Sequence, residues 1–184
     1  MKDLSIVRVG AGVIPQGLLV SWSKLYCEIW KEPPWNEDFW QPENVAEDLS
    51  REMQYPDAVG FLAVDRGRVV GFTHGYSVSR DELRIIAGNG LLDHLFEKNE
   101  RVYYVDELGV AASHRGRRIS LRLTSPLIEH ARKCGVGGVT LRTDVEATAA
   151  RHVYRELGFT ELSIRDAVHP SRTYWFLGLF FHNL

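Results

Sequence analysis

The sequence is poor in the features that mark secreted, membrane-spanning and disulfide-rich proteins. Its two cysteines, Cys27 and Cys134, lie far apart and form no CxxC pair, which favours two reduced thiols. No apolar run reaches the roughly 18 residues of a membrane-spanning helix. The start, MKDLSIVRVGAG, has neither an apolar core nor a cleavage site typical of a signal peptide. These absences predict a cytoplasmic protein that does not associate with membranes.

An excess of charge of one sign is also missing. The net charge is −2 and the isoelectric point is about 6.4. The one basic stretch, 115–122, lacks the interleaved aromatic residues of a nucleic-acid-binding surface, so we expect no nucleic-acid partner. His74, His94 and His152 show no metal-ligand spacing, and we expect no metal site.

The apolar pattern predicts an α/β fold. At 184 residues and 45% apolar content, the chain fits a single domain over 1–184, with two domains as the alternative. Periodicity predicts the order β-α-α-β-β-(α)-β-α-β-α-β-β, which favours a sandwich around a mixed sheet. Strands are expected at 4–9, 58–64, 68–78, 101–111, 139–145, 159–168 and 173–180. Helices are expected at 17–30, 43–53, 117–133 and 147–157, and a helical segment broken at 88–90 is expected over 81–100.

Two local signals refine these elements. Asp65-Arg66-Gly67 separates two strand-like runs and predicts a hairpin. Pro126 lies inside the helix expected at 117–133 and should kink it, because proline removes one backbone hydrogen bond.

The stretch HRGRRISLRLT, residues 114–124, joins a strong strand to a helix start. The first amides of a helix have no internal partner and the helix dipole adds positive charge, so this layout is an anion site. Gly116 relaxes the turn, while Arg115, Arg117 and Arg118 supply charge suited to a pyrophosphate or a 3′-phosphate. An arginine at the N-terminus of a helix is unfavourable, because its charge is repelled by the positive end of the helix dipole. Three arginines within four residues therefore predict an anion ligand. A solvated basic first turn is the alternative.

Two segments resemble the acetyl-coenzyme A-dependent N-acetyltransferases of the GNAT superfamily. These are ELGVAASHRGRRISLRL at 107–123 and TLRTDVEATAARHVYRELGF at 140–159. Family members have a strand ending in valine, an Arg/Gln-x-x-Gly-x-Gly/Ala loop, a helix, and later a short helix ending in Tyr-x-x-x-Gly-Phe. Residues 154–159 match the last signature, and Val110, Arg115 and Gly116 match the first.

The chain departs from the family pattern at three positions. Arg118 stands where the family prefers glycine, Ser120 where it prefers glycine or alanine, and Ala147 where many members have asparagine. The family loop binds pyrophosphate through backbone amides, so its side chains are replaceable in principle. The Arg118 side chain then either adds a phosphate contact or fills the ligand's space. Nothing requires a positive φ at residue 118 if the helix has already begun there.

The resemblance implies a GNAT-type α/β/α sandwich with a mixed, mostly antiparallel central sheet splayed after the fourth strand. It also implies acetyl-CoA as co-substrate, with the strand before the loop binding the pantetheine arm. The implied CoA-binding residues are Leu108, Gly109, Val110, Arg115, Gly116, Arg117, Arg118, Ile119 and Ser120.

Acyl transfer to an amine needs a base for the amine and a proton for the leaving thiolate. By resemblance Tyr154 protonates the thiolate, and a tyrosine packed in the core is the alternative. Glu107 and Asp106 are the candidate bases, and since successive strand residues face opposite sides, one of them should face the acceptor. Glu107 occupies a position often acidic in the family and is favoured. It could also act through water, bind the amine cation, or merely pair with an arginine.

The segment PPWNEDFW, residues 33–40, lies where the family has an acceptor-covering loop. Trp35, Phe39 and Trp40, with Glu37 and Asp38, would form an aromatic and acidic wall for a cationic amine. The alternative is that these rings only pin a proline-rich loop to the core. For residues 81–100, a second lid over the site and a homodimer surface are the two interpretations that the sequence allows.

The sequence therefore predicts an N-acetyltransferase that moves an acetyl group from acetyl-CoA to a primary amine of a small molecule or peptide. Direct transfer in a ternary complex is expected, because no cysteine lies in a catalytic motif. Polyamines, antibiotics, amino acids and protein termini all remain candidate acceptors. The alternative function is a non-catalytic module that binds an acyl-CoA or another nucleotide with a degenerate loop.

Overall fold

The computed structural model describes residues 4–10, 12, 14–88, 90–96 and 100–179. The strands are β1 (Ser5–Gly10), β2 (Val59–Asp65), β3 (Arg68–Ser79), β4 (Arg101–Val110), β5 (Gly138–Asp144), β6 (Thr160–Arg165) and β7 (Arg172–Gly178). The helices are α1 (Gln16–Trp30), α2 (Pro42–Glu52), α3 (Arg80–Ala87), α4 (Ile119–Lys133) and α5 (Thr148–Glu156), with 3₁₀ turns at Asp93–Phe96 and Ala112–His114. The predicted order of elements is confirmed.

The seven strands form one mixed sheet in the order β1-β2-β3-β4-β5-β7-β6. β1–β2, β2–β3, β5–β7 and β6–β7 are antiparallel, and β4–β5 is parallel. The parallel ladder is short: it pairs Tyr103 with Val139 and Tyr104 with Thr140, near the start of β4. The α/β class with a mixed, mostly antiparallel and open sheet is confirmed.

The predicted hairpin forms between β2 and β3. Arg66 and Gly67 both have positive φ, 49° and 75°, as the two-residue turn between twisted antiparallel strands requires. Asp65 pairs with Arg68 beside this turn, and the register shifts between Ala63 and Val64. The hairpin thus follows from turn chemistry that the sequence displays directly.

The helices differ from the prediction mainly at their ends. α4 begins at Ile119 rather than 117 and runs as one helix through Pro126 to Lys133. In the segment predicted over 81–100, Ser79 and Glu82 form a capping box before α3, and Gly88 ends it at φ 72°. Residues 89, 97–99 and 180 of the predicted elements lie outside the described residues. Within the described part of the chain, no helix combines the length and apolarity needed to cross a membrane.

The chain divides into two compact units, residues 1–76 with 107–127 and residues 77–106 with 128–184. In the first unit, β3 carries helices on both faces. A Cβ at Gly71 would lie 3.1 Å from Ile119 of α4, while the next residue, Phe72, packs 5.9 Å from Trp22 of α1. The second unit buries Tyr103 and Trp175. The single-domain assignment stays a prediction.

Candidate active site

The first part of the loop after β4 is anchored at two points within the first unit. The Ala111 amide donates to the carbonyl of Val70, 2.9 Å away on β3. The His114 ring lies 3.1 Å from the Asp65 carboxylate through Nε2 and is largely buried. These contacts tie residues 111–114 to the β2–β3 hairpin and determine where the following turn begins.

The backbone of the turn alternates in the sign of φ. Gly116 has φ 73° and Arg118 has φ 56°, whereas Arg117 between them has a negative φ. Such alternation is typical of backbone nests, in which successive N–H groups point toward one anion. The amides of Ile119, Ser120 and Leu121 follow at the start of α4, ahead of the first helical bond from Arg122 to the Arg118 carbonyl at 3.2 Å.

The positive φ of Arg118 corrects the sequence analysis. The expectation that nothing requires a positive φ there assumed that the helix had already begun at residue 118. Because α4 begins at Ile119, residue 118 is the last residue of the turn and adopts the left-handed conformation. The family preference for glycine at this position is thus matched by the backbone of this chain, although the residue is arginine.

The three arginines of the loop are all exposed, so none of their side chains fills a buried space. Arg115 is held by other groups: its Nε donates to the Val110 carbonyl at 3.1 Å and its guanidinium contacts the Glu32 carboxylate at 2.5 Å. Arg117 donates to the Ser113 carbonyl at 3.4 Å. The backbone amides, rather than Arg115, are therefore the groups best placed to bind an anion.

Replacing Arg118 with glycine should raise the free energy of unfolding by about 1 kcal/mol, since an L-residue in the left-handed region is strained by that order. The same change removes one exposed positive charge, so we expect acetyl-CoA to bind roughly three- to tenfold more weakly. Urea unfolding and calorimetric titration would measure the two effects.

Arg66→Gly is the matched control, because Arg66 is an exposed arginine with φ 49° in the hairpin turn. It should give a similar gain in stability with no change in acetyl-CoA affinity. Tighter binding by the Arg118→Gly variant would mean instead that the Arg118 side chain obstructs the ligand.

Glu107 is the carboxylate that the first unit holds in place. The Tyr26 hydroxyl of α1 donates to its Oε1 at 3.3 Å. Its backbone carbonyl accepts a hydrogen bond from the Thr73 hydroxyl of β3 at 2.8 Å. Glu107 is partly buried, and its side chain lies on the α1 side of β4. A carboxylate oriented in this way, with some access to solvent, is suited to accept a proton.

Gly109 brings β4 close to the aromatic side chains beside it. A Cβ at this position would lie 2.7 Å from both Ile29 Cδ1 and Phe72 Cζ, so no side chain fits. Close packing against these two side chains is thus a sufficient reason for a glycine at this position. Leu108 is partly buried and Val110 is buried, so the strand end is well ordered by packing.

The three predicted acceptor-side aromatic residues lie in one cluster with α1. Trp35 packs edge-on against Trp30 at 4.6 Å between ring centroids, and Trp40 packs edge-on against Tyr26 at 5.4 Å. Phe39 contacts Trp40 at 5.1 Å and is 65% exposed. Trp35 and Trp40 thus pack the segment against α1, while Phe39 is exposed, and the role of the three rings as an acceptor wall stays a prediction.

The two predicted acidic residues of this segment behave differently. Glu37 accepts a hydrogen bond from the Trp40 indole N–H at 2.8 Å. Asp38 is exposed. Glu37 therefore helps to orient Trp40, which in turn packs against the tyrosine that holds Glu107.

Tyr154 lies on α5 in the second unit. It is 5% exposed, and its ring packs edge-on against Phe159 at 5.8 Å and near Trp175 at 6.2 Å. This environment agrees equally with a core tyrosine, so its role as acid stays a prediction. Asp106 belongs to the same unit and is partly buried; its role as base also stays a prediction.

Comparison with known proteins shows the family of the chain. Residues 21–159 match the family described as the acetyltransferase (GNAT) family. The chain belongs to the GNAT acetyltransferase family. A curated relative, the mycothiol acetyltransferase of Nocardia farcinica, is 33% identical over 124 residues, which cover 65% of this chain and 35% of that protein. The aligned part thus spans about a third of the length of that relative.

Solved structures of GNAT proteins share the fold of this GNAT chain. The putative acetyltransferase yncA of Salmonella typhimurium with acetyl-CoA superposes with a TM-score of 0.68 at 18% identity, over 100% of this chain and 98% of that one. NAA60 of Arabidopsis thaliana with acetyl-CoA gives 0.68 at 16% identity, over 96% and 98%. The ribosomal-protein-S18-alanine N-acetyltransferase of Escherichia coli gives 0.62 at 16% identity, over 98% and 99%.

Two residues of this GNAT site were missed by the sequence analysis. The sequence assigned neither Tyr26 nor Glu32 a role in the site. Their partners, Glu107 and Arg115, lie more than eighty residues further along the chain. No local pattern connects residues at such separations, so only the folded chain pairs them.

Proposed function

We propose that this GNAT protein transfers the acetyl group of acetyl-CoA to a primary amine of a small molecule or a peptide. The observation that carries the proposal is the turn at Gly116–Arg118, where φ alternates in sign directly before the free amides of α4. Glu107 lies on β4, nine residues before Gly116, so the proposed anion site and the candidate base belong to one unit of the chain.

In the proposed reaction the amine nitrogen attacks the thioester carbonyl carbon, a C–N bond forms and the C–S bond breaks. Glu107 takes the proton that the amine loses, directly or through water. Tyr154 gives a proton to the departing thiolate and regains one from solvent. Backbone groups of Leu108, Gly109 and Val110 bind the pantetheine arm and polarise the carbonyl. The pyrophosphate lies on the amides of 116–120.

On the acceptor side we propose that Trp35, Phe39 and Trp40 form the aromatic wall next to the amine. The exposed ring of Phe39 supports this assignment most directly. The chain is similar to a mycothiol acetyltransferase and to a ribosomal-protein-S18-alanine N-acetyltransferase, so small molecules and peptides are both worth testing as acceptors. The cytoplasmic location and a homodimer stay predictions from the sequence.

Two measurements test the proposal. Calorimetry with acetyl-CoA, desulfo-CoA and dephospho-CoA should give micromolar binding that weakens when the 3′-phosphate is missing. Thiol release from acetyl-CoA should then be followed with spermidine, kanamycin, free amino acids and a peptide that begins with alanine. Turnover with any of these amines supports the enzyme.

The outcomes distinguish the N-acetyltransferase from the non-catalytic binding module that the sequence left as the alternative. Tight binding of acetyl-CoA without turnover of any amine would point to the non-catalytic binding module. Failure to bind acetyl-CoA at all would exclude the enzyme and would leave the binding module only with a different nucleotide as its ligand.

A further inference from the structure

We propose that Tyr26 of α1 is a positioning residue that holds the Glu107 carboxylate in the orientation needed to receive the amine proton. This inference rests on the proposed function, because it concerns the base of that reaction. It adds a residue on α1 to a site that the sequence placed on β4, the following loop and the segment 33–40.

The contact between the two side chains is direct and oriented. The Tyr26 hydroxyl is 3.3 Å from Glu107 Oε1, and the two residues are 81 positions apart in the chain. An ionised carboxylate can only accept hydrogen bonds, so the phenol must be the donor. The bond therefore favours the ionised carboxylate, which is the form that can act as a base.

The Tyr26 ring is held on three sides by other aromatic rings. Phe72 lies nearly parallel to it at 6.0 Å between centroids, Trp30 is tilted at 5.5 Å, and Trp40 packs edge-on at 5.4 Å. The residue is 9% exposed. A ring enclosed in this way cannot turn its hydroxyl away from Glu107 without losing these contacts.

The backbone of Glu107 is restrained as well. Thr73 Oγ1 donates to its carbonyl at 2.8 Å, and two residues further on Gly109 packs too closely on Ile29 and Phe72 for any side chain. With the main chain fixed by Thr73 and the side chain fixed by Tyr26, the carboxylate has little freedom. A base already in its reactive orientation loses less entropy on reaching the transition state.

The same ring connects Glu107 to the acceptor segment. Trp40, which packs edge-on against Tyr26, is itself oriented by Glu37 through a 2.8 Å hydrogen bond. An amine that contacts Trp40 would therefore lie beside the ring that positions the base. Tyr26 is thus placed to align the base with the acceptor, without touching the reacting atoms itself.

The experiment uses Tyr26→Phe in the full chain, because phenylalanine keeps the ring contacts and removes only the hydroxyl. With the best amine of the panel, kcat should fall about tenfold, in line with the loss of one hydrogen bond to a charged group. The Kd for acetyl-CoA should not change. The acidic limb of the pH–rate profile should move to higher pH, because the ionised carboxylate loses a donor.

A second readout needs no substrate. In protein carrying ¹³C-labelled glutamate side chains, the Glu107 resonance can be assigned by its loss in Glu107→Gln. This assignment separates it from other nearby titrating groups, namely Asp106 beside it in the strand and His74 of β3, which pairs with Glu52 at 2.9 Å. Its titration midpoint should be higher in Tyr26→Phe by roughly half a pH unit.

Tyr55→Phe is the matched control, because it removes a hydroxyl from another tyrosine of the same unit, one that packs on Tyr76. It should change neither the pH–rate profile nor the Glu107 midpoint. Tyr26→Phe with wild-type kcat, an unmoved profile and an unmoved midpoint would overturn the proposal. If wild-type protein acetylates none of the amines, the proposed function fails, yet the midpoint in the two proteins still decides whether Tyr26 orients Glu107.

Discussion

Replacement of Glu107 by glutamine is expected to lower kcat by about 10²- to 10⁴-fold, which is the usual contribution of a general base. Glutamine has nearly the shape of glutamate, and its side-chain oxygen can still accept the Tyr26 hydrogen bond. It cannot take a proton at neutral pH. The loss should therefore fall on the chemical step, while the Kd for acetyl-CoA measured by calorimetry stays close to that of the wild type.

The pH–rate profile should change with the rate. In the wild type, activity should decline at acidic pH as the base becomes protonated, and Glu107→Gln should lack this acidic limb. Glu47→Gln is the matched control, because Glu47 is an exposed glutamate on α2 of the same unit. Full activity in Glu107→Gln would contradict the assignment and would make Asp106 the next candidate base.

Replacement of Asp166 by alanine is expected to lower the free energy of unfolding by about 3–5 kcal/mol, the cost of removing one partner of a buried ion pair. The Asp166 side chain is fully buried and 2.7 Å from the Arg142 guanidinium. The Tyr174 hydroxyl also donates to it at 2.6 Å, and the amides of Val168 and His169 donate to its other oxygen. Alanine would leave the buried Tyr174 hydroxyl and the largely buried Arg142 guanidinium without this acceptor. Urea unfolding followed by circular dichroism would measure the loss.

The contribution of Asp166 should depend on pH. Burial by itself raises the pKa of the carboxyl, but hydrogen bonds from Tyr174, Arg142 and the His169 amide outweigh it and lower the pKa from 3.8 to about 2. A depressed folded-state pKa stabilises the protein above the unfolded value and loses that effect as the pH falls. Stability worth about 2 kcal/mol should therefore disappear in the wild type between about pH 4 and pH 2. Asp166→Ala should lack this loss.

Asp81→Ala provides the comparison, since Asp81 also pairs with an arginine, Arg84, but is 87% exposed. An exposed pair of this kind contributes at most about 1 kcal/mol, so Asp81→Ala should cost little. Equal losses in the free energy of unfolding for the two substitutions would show that burial does not determine the contribution of Asp166 to stability.

Most secondary structure could be predicted because its causes are local. The β2–β3 hairpin follows from alternating apolar residues and the Arg66-Gly67 turn, and both strands appear within one residue of the prediction. The start of α4 was misplaced by two residues for a local reason as well. A basic turn residue and a first helical residue look alike in sequence, and only the backbone at Arg118 distinguishes them.

The arrangement of the site was less predictable, because it depends on residues far apart in the chain. The loop, its glycine and its arginines were identified from composition and spacing, and Trp35, Phe39 and Trp40 do form a cluster. The pairing of Arg115 with Glu32 was not expected, because the two residues are 83 positions apart in the chain. It leaves the amides, rather than that arginine, as the groups of the turn that we expect to bind an anion.

The sequence by itself predicted the α/β class, the resemblance to the GNAT family and the position of the turn after β4, because apolar periodicity, turn residues and motifs are properties of short stretches of chain. The tertiary structure alone decided that Arg118 adopts a left-handed conformation, that Arg115 contacts Glu32, and that Tyr26 contacts Glu107. The last two contacts join residues more than eighty positions apart. Packing of α1 against β3 and β4 brings those side chains together, and no local pattern in the sequence encodes that packing.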